Sequence, residues 1–351
     1  MSILSQHMDS LLVGNAPLSS RVFRHEDSDG APYALLVSKG TWDLRTGTLC
    51  NGAAGPGAVV EVRDVPLYTA VGDLQLDETQ RAVLGPRLTH SILAVDHDRV
   101  PPKPHFDVVV NGYAHAPGGK PKPWFDAGIR VGNVLSTLRA YGPRIEHKRF
   151  FSSVVGDPLA PVRRVPLGPA FAGWGRALET LAAPADETTF PMLSPWLEAI
   201  GADTHAADRG PQVSFGTWSE EAPHRLQWAG TYDERWRCER APRLPRDFDR
   251  RFYNTADPAL QLRAAPVPGT PIRLAHLSEN SMQDIVFPAM TVDVSARYGA
   301  GTPRQQQFSL RADTLLLEPD LQRMAIVWRA LIPVRGGSLQ RLELHCRTGT
   351  A

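Results

Sequence analysis

Cysteine is scarce. Cys50, Cys238 and Cys346 are odd in number, widely spaced and form no C-x-x-C pair. That excludes a disulfide framework and a cysteine-built zinc site as organising features. Lysine stands only at positions 39, 103, 120, 122 and 148, so arginine supplies most of the 38 basic residues. Guanidinium forks pair and stack where an ammonium cannot, which suits protein contacts as well as a compositional bias. A surplus of charge is also missing: 38 basic against 37 acidic residues give a formal net charge of +1. No nucleic acid is therefore expected as an obligate partner. No apolar run is long enough to span a bilayer. The opening MSILSQHMDSLLVGN lacks the basic and apolar regions of a secretory signal. The expectation is a soluble, cytoplasmic chain without membrane insertion. Phosphate-binding glycine loops and solenoid repeats are absent too, so the sequence implies no cofactor.

What is present reads mainly as strand. At 351 residues the chain can bury a sizeable core. Tyr33–Cys50 predicts two strands around an Arg45-Thr46-Gly47 turn, and Val59–Val65 alternates like a half-buried strand. Prolines 101, 102 and 104 force an extended approach to a buried strand at Phe106–Val110. Ala127–Tyr141 predicts a hairpin turning at Gly132-Asn133. Pro271–Leu277 and Ile285–Pro288 predict short strands, and two more flank Glu318-Pro319-Asp320 within Phe308–Val334. Short helices are expected only near 176–200, including 177–183 and 195–200, and near 247–253. The fold class is therefore mainly β, with antiparallel, sandwich-like layers.

The densest stretch is Gln227–Asn254. Gly230 permits a tight turn, and Pro242 and Pro245 keep Arg240–Arg246 extended or turn-like. Thr231 favours a strand or turn around Trp228, Tyr232 and Trp236, while Asp247 is placed to start a short helix. Its aromatics and arginines fit a packed corner between layers first and an interaction surface second.

Within it, W-A-G-T-Y-D-x-x-W followed by P-x-L-P-x-D-F-D-x-R-F-Y-N resembles the central signature of a bacterial family of type VI secretion accessory proteins. Lys39, Thr41, Trp42 and Gly47 are similar to that family's opening strand. Lys103, Pro104, Asp107, Val108, Val110, Gly112 and Ala114 fit its K-P-x-T-D-V-x-V-x-G-x-A motif, with Phe106 where Thr is usual. Asp313, Thr314, Leu317, Pro319, Arg323, Val327, Trp328 and Arg329 match its closing pattern. The likeness runs from Tyr33 to Val334 and weakens over 176–225.

The resemblance implies a non-catalytic adaptor or chaperone that binds a type VI effector, or its PAAR or VgrG spike component, and assists loading. It also implies a single domain over 33–334, or two β subdomains (33–155 and 205–334) joined by a divergent 156–204 section. Residues 1–32 would be an extension and 335–351 a tail. The motifs single out Lys103, Asp107, Gly112, Gly230, Tyr232, Asp233, Trp236, Arg243, Arg246, Asp247, Asn254, Asp313, Trp328 and Arg329 as family-motif or partner-binding residues.

The alternative is a β-scaffold hydrolase or metal-dependent enzyme. Asp96, His97, Asp98, His105, Asp107 and His115 could supply hard or borderline ligands. Their spacing fits no H-E-x-x-H or facial-triad signature, and prolines separate them. Asp233/Glu234 and Asp247/Asp249 could form acid–base pairs. They stand among Arg235, Arg237, Arg246, Arg250 and Arg251, where structural ion pairs are the simpler expectation. Neither catalysis nor a metal is expected.

Overall fold

The computed structural model describes residues 8–14, 17–52, 57–149, 152–172, 192–194, 196–201, 212–299, 304–334 and 339–349. The expected helix at 177–183 lies outside them, as do residues 173–191, 195 and 202–204 of the divergent section.

In chain order, the elements that position the site begin with β1 (Ser19–Glu26), β2 (Pro32–Asp43) and helix α1 (Glu78–Leu84). Next come β3 (Phe106–Val110), the hairpin β4 (Trp124–Val131) and β5 (Val134–Tyr141), and β6 (Leu197–Ala199). Two short helices follow, α2 (Pro223–Leu226) and α3 (Glu234–Glu239). After them stand β7 (Gln261–Leu262), β8 (Pro271–Ala275) and β9 (Met282–Val286). The chain closes with β10 (Met290–Tyr298), β11 (Arg304–Ser309), β12 (Arg311–Glu318), β13 (Arg323–Pro333) and β14 (Leu339–Thr348).

The protein is mainly β, as its alternating and apolar runs predict. A six-stranded sheet runs β7-β3-β12-β13-β2-β1, and a five-stranded sheet runs β6-β5-β4-β8-β9. In a third sheet β14 and β10 lie between β11 and the short strand Leu12–Val13. Pairing in the first two is antiparallel except between β3 and β12, where Asp107–Val110 runs parallel to Thr314–Leu317. One core takes Leu36, Phe106 and Leu317 from the six-stranded sheet, Ile129 and Leu274 from the five-stranded sheet, and Val294 and Leu342 from the third. The opposite face of the six-stranded sheet carries a second cluster of Phe23, Leu35, Val37, Val62 and Val327. β2 is buried on both faces, and its Ala34–Val37 stretch is continuously apolar rather than alternating.

Several local expectations change. Residues 19–26, assigned to an extension, form an edge strand against β2, and residues 339–348, assigned to the tail, pair with β10. Both large sheets interleave strands from the two halves of the chain. The second strand of the first hairpin shrinks to a single bridge, Trp42 with Leu49. Val59–Val65 joins no ladder. Side chains replace one: Val60 N donates to Thr41 Oγ1, Val62 N to Ser19 Oγ and Arg63 N to Asp98 Oδ2. The expected helical turn at 195–200 holds β6, because pairing with β5 outweighs weak local propensity. Helices α1 to α3 fall outside the expected positions.

Candidate functional site

Residues singled out by the motifs divide into two places. The first is a buried chain of alternating charge on the second face of the six-stranded sheet. Lys39 Nζ meets Asp98 Oδ2 at 2.7 Å, and Arg329 Nη2 reaches Asp98 Oδ1 at 3.4 Å. Arg329 Nη1 pairs with Asp313 Oδ1, and the backbone N–H of Lys103 donates to Asp313 Oδ2 at 3.0 Å. Lys103 Nζ then pairs with Asp107 Oδ2 at 2.7 Å, and Asn254 Nδ2 donates to Asp107 Oδ1 at 2.8 Å. Three cations balance three carboxylates. None of the seven residues is more than 5% exposed.

Local structure explains how they meet. Asp313 is the extra residue where the register of β12 shifts against β13 between Ala312 and Thr314. Such a bulge re-aims one side chain, here onto Arg329 and the Lys103 amide. Burial pushes the Lys39 ammonium below its ordinary value. Burial also opposes an ionised Asp98, but Lys39 and Arg329 outweigh it and hold that carboxyl below the usual range. For Asp313 burial prevails over Arg329 and Lys103, and its carboxyl is raised. Trp328 is likewise interior, with its ring centroid 6.0 Å from that of Trp42. Gly112 belongs to a neighbouring junction. A Cβ there would lie 2.7 Å from Asp320 Oδ2, an oxygen that accepts from Tyr113 N while Oδ1 bonds His115 Nε2.

The second place is an exposed lobe from Trp228 to Asp249. Asp249 N donates to Trp228 O at 3.0 Å and closes its neck. Inside, the signature residues hold one another. Gly230 has φ +78°, and a Cβ there would stand 2.9 Å from Pro245 Cβ and 3.0 Å from Phe248 N. Asp247 accepts from Thr231 N at 3.0 Å and Thr231 Oγ1 at 2.7 Å. Asp233 caps α3 through Trp236 N at 2.8 Å. The Trp236 indole donates to Arg243 O at 2.8 Å and packs edge-on against Tyr232, centroids 4.7 Å apart. A surface excursion with close ends, packed by its own side chains, is an arrangement frequently used for function.

This corrects three expectations. The stretch is no interior corner: Tyr232 is 53% exposed, Trp236 is half-buried, and of residues 228–249 only Pro245 is buried. Of the expected strand or turn, Trp228–Asp233 takes the turn, and helix α3, which starts at Glu234, is unexpected. Asp247 starts no helix; the single turn Arg250–Tyr253 begins at Asp249, which accepts from Arg251 N at 2.8 Å. Arg243 and Arg246 also differ. Arg243 packs on the β1–β2 turn, its Nη2 2.8 Å from where a Gly30 Cβ would stand, whereas among the described residues Arg246 reaches only Glu239, at 3.9 Å.

The six Asp and His residues weighed as metal ligands do not gather. Asp96 pairs with Arg225, Asp98 with Lys39 and Arg329, Asp107 with Lys103, and His115 with Asp320. Among the described residues no group of three His, Cys, Asp or Glu side chains is placed to hold a metal ion. Sequence reasoning missed Arg225, which is buried and donates to Phe252 O, Trp218 O and Asp96, pinning the lobe's base to the body. The signal was its place, seven residues after Trp218, but nothing in the spacing marks an arginine as buried.

A layered β protein, pinned by a buried ionic chain and carrying a self-packed surface lobe, is the class this arrangement defines. Among the described residues, no helix is long and apolar enough to cross a membrane. The chain belongs to DUF2169, a family described as uncharacterized protein conserved in bacteria, whose family model matches residues 29–329. No curated protein and no solved structure matches it.

Proposed function

We propose that the protein is a non-catalytic adaptor that binds a partner protein through the 228–249 lobe. The finer reading is a type VI secretion effector, or its PAAR or VgrG spike component, held in the cytoplasm before loading. The observation that carries the proposal is the lobe's construction. Its signature residues maintain its own shape while Tyr232 and the arginines 235, 237 and 246 face solvent. A rigid surface with aromatic and guanidinium groups suits partner recognition at low ordering cost. The resemblance of four motifs to the secretion accessory family supports the kind of partner. Of the acids weighed for catalysis, Asp96, Asp98, Asp107, Glu234 and Asp249 each pair with a cation, while Asp233 and Asp247 bond groups of the lobe itself, which supports binding over chemistry.

The test is co-purification with an effector and spike protein encoded beside the gene. Arg237→Glu with Arg246→Glu should melt normally and lose the partner at least tenfold. Full retention by that variant would place the contact elsewhere, and hydrolytic or metal-dependent activity in the pure protein would favour the enzyme reading.

A further inference from the structure

A second surface lies away from the lobe. A cleft of about 860 Å³ opens between the loop after β2 and the outward face of the five-stranded sheet. Its apolar lining includes Trp42, Leu49, Ile285, Val286, Pro288 and Met324. Five charged side chains also line it: Asp43, Arg45, Arg130, Arg273 and Asp284. Both acids are already taken. Asp43 pairs with Arg45 at 2.7 Å and Asp284 with Arg273 at 2.6 Å. Arg130 stands directly opposite Arg273 in register, and among the described residues it has no ion-pair partner. Like charges facing each other across strands are destabilising, so this cleft is complementary to one added carboxylate.

The cleft is also flanked by an open strand edge. β9 ends the five-stranded sheet. Phe287 N donates to Thr270 O and His276 N to Ser281 O, which fixes the odd-numbered residues of β9 as the ones facing β8. The backbone groups of Met282, Asp284 and Val286 therefore point outward, and Met282 and Val286 are each 53% exposed. An edge with free N–H and C=O groups is a template for another extended chain. Arg130 is two strands inward of β9 and three from a chain paired on its edge, roughly 14 Å at about 4.8 Å per strand, a span five extended residues cover at about 3.3 Å each.

We infer that this cleft binds an extended apolar segment of a partner protein, seated beside β9 and delivering one carboxylate to Arg130. The free backbone edge selects a peptide, the lining selects apolar side chains, and the unmatched guanidinium selects an acid. This surface is independent of the lobe.

The test uses fluorescein-labelled octapeptides of alternating Val and Thr, with a free C-terminal carboxylate, with a C-terminal amide, and with an amide plus one penultimate Glu. Anisotropy should show both carboxylate-bearing peptides binding at least tenfold tighter than the plain amide. Arg130→Gln should remove that difference with an unchanged melt, since the side chain is exposed. Met282→Pro, which deletes only an outward N–H, should weaken all three peptides. The lobe variant Arg237→Glu with Arg246→Glu should bind them normally. No binding by any peptide, equal binding of acid and amide forms, or competition by hexanoate alone as effective as the peptide would overturn the inference.

Discussion

Lys103 Nζ donates to Asp107 Oδ2 at 2.7 Å, and both side chains are buried, 4% and 0% exposed. The pair ends a chain of buried charges, and removing either member leaves the other unmatched inside the protein. Breaking a buried pair from one side costs about 3–5 kcal/mol, far more than a surface pair. Lys103→Met is therefore expected to lower unfolding stability by roughly that amount in urea. A loss under about 1 kcal/mol, the size of an exposed pair, would mean the chain of charges is not structural.

Acid dependence follows from Asp98. Its folded-state pKa lies below its ordinary value. The unfolded chain therefore binds the extra proton first, below about pH 4, and stability falls as the pH drops through the folded value. Asp313, raised by burial, has the opposite sign. In the window just above the ordinary carboxylate pKa the folded state takes up its proton, and lowering the pH there adds stability. Asp98→Asn should flatten the loss below about pH 4, and Asp313→Asn should remove the gain above it. Melts from pH 3 to 7 check both, and unchanged profiles would contradict the assignment.

Much of the fold was legible in the sequence because its strands carry period-two or continuously apolar patterns. Phe106–Val110 and the Gly132 hairpin stand where the pattern puts them. The Val59–Val65 alternation misled because its N–H groups bond to Thr41, Ser19 and Asp98 side chains, and alternation does not say what the backbone bonds to. The motifs marked Lys103, Asp107, Asn254, Asp313 and Arg329 without showing that they touch. Their contacts span most of the chain and depend on the bulge at Asp313, a backbone event that residue spacing does not announce. The lobe's aromatics read as core since Trp and Phe usually are. What keeps them outside is the neck closed by Trp228 and Asp249.

That exposure changes what Trp236→Ala should do. A buried aromatic truncation costs about 3–5 kcal/mol. Trp236 is half-buried and holds only the lobe, through Arg243 O and Tyr232. Global stability should fall by less than about 2 kcal/mol while proteolysis within 228–249 accelerates. Unfolding of the whole protein would restore the interior-corner reading.

Gly230→Ala should act in the same place. The new Cβ would meet Pro245 and Phe248 in a left-handed backbone, a combination costing on the order of 1–3 kcal/mol. Gly112→Ala should instead push Asp320 off Tyr113 and His115 and lower the global melt. Hydrogen exchange separates the two: faster exchange confined to the lobe for the first, and along β3 and β12 for the second.

A partner-binding surface on the lobe stands or falls with its exposed arginines. Co-purification of Arg237→Glu with Arg246→Glu against the effector and spike protein encoded beside the gene tests it most directly, with a thermal melt of the same preparation. A partner-binding lobe requires a normal melt with at least a tenfold loss of partner; a normal melt with the partner fully retained would mean that the contact lies elsewhere.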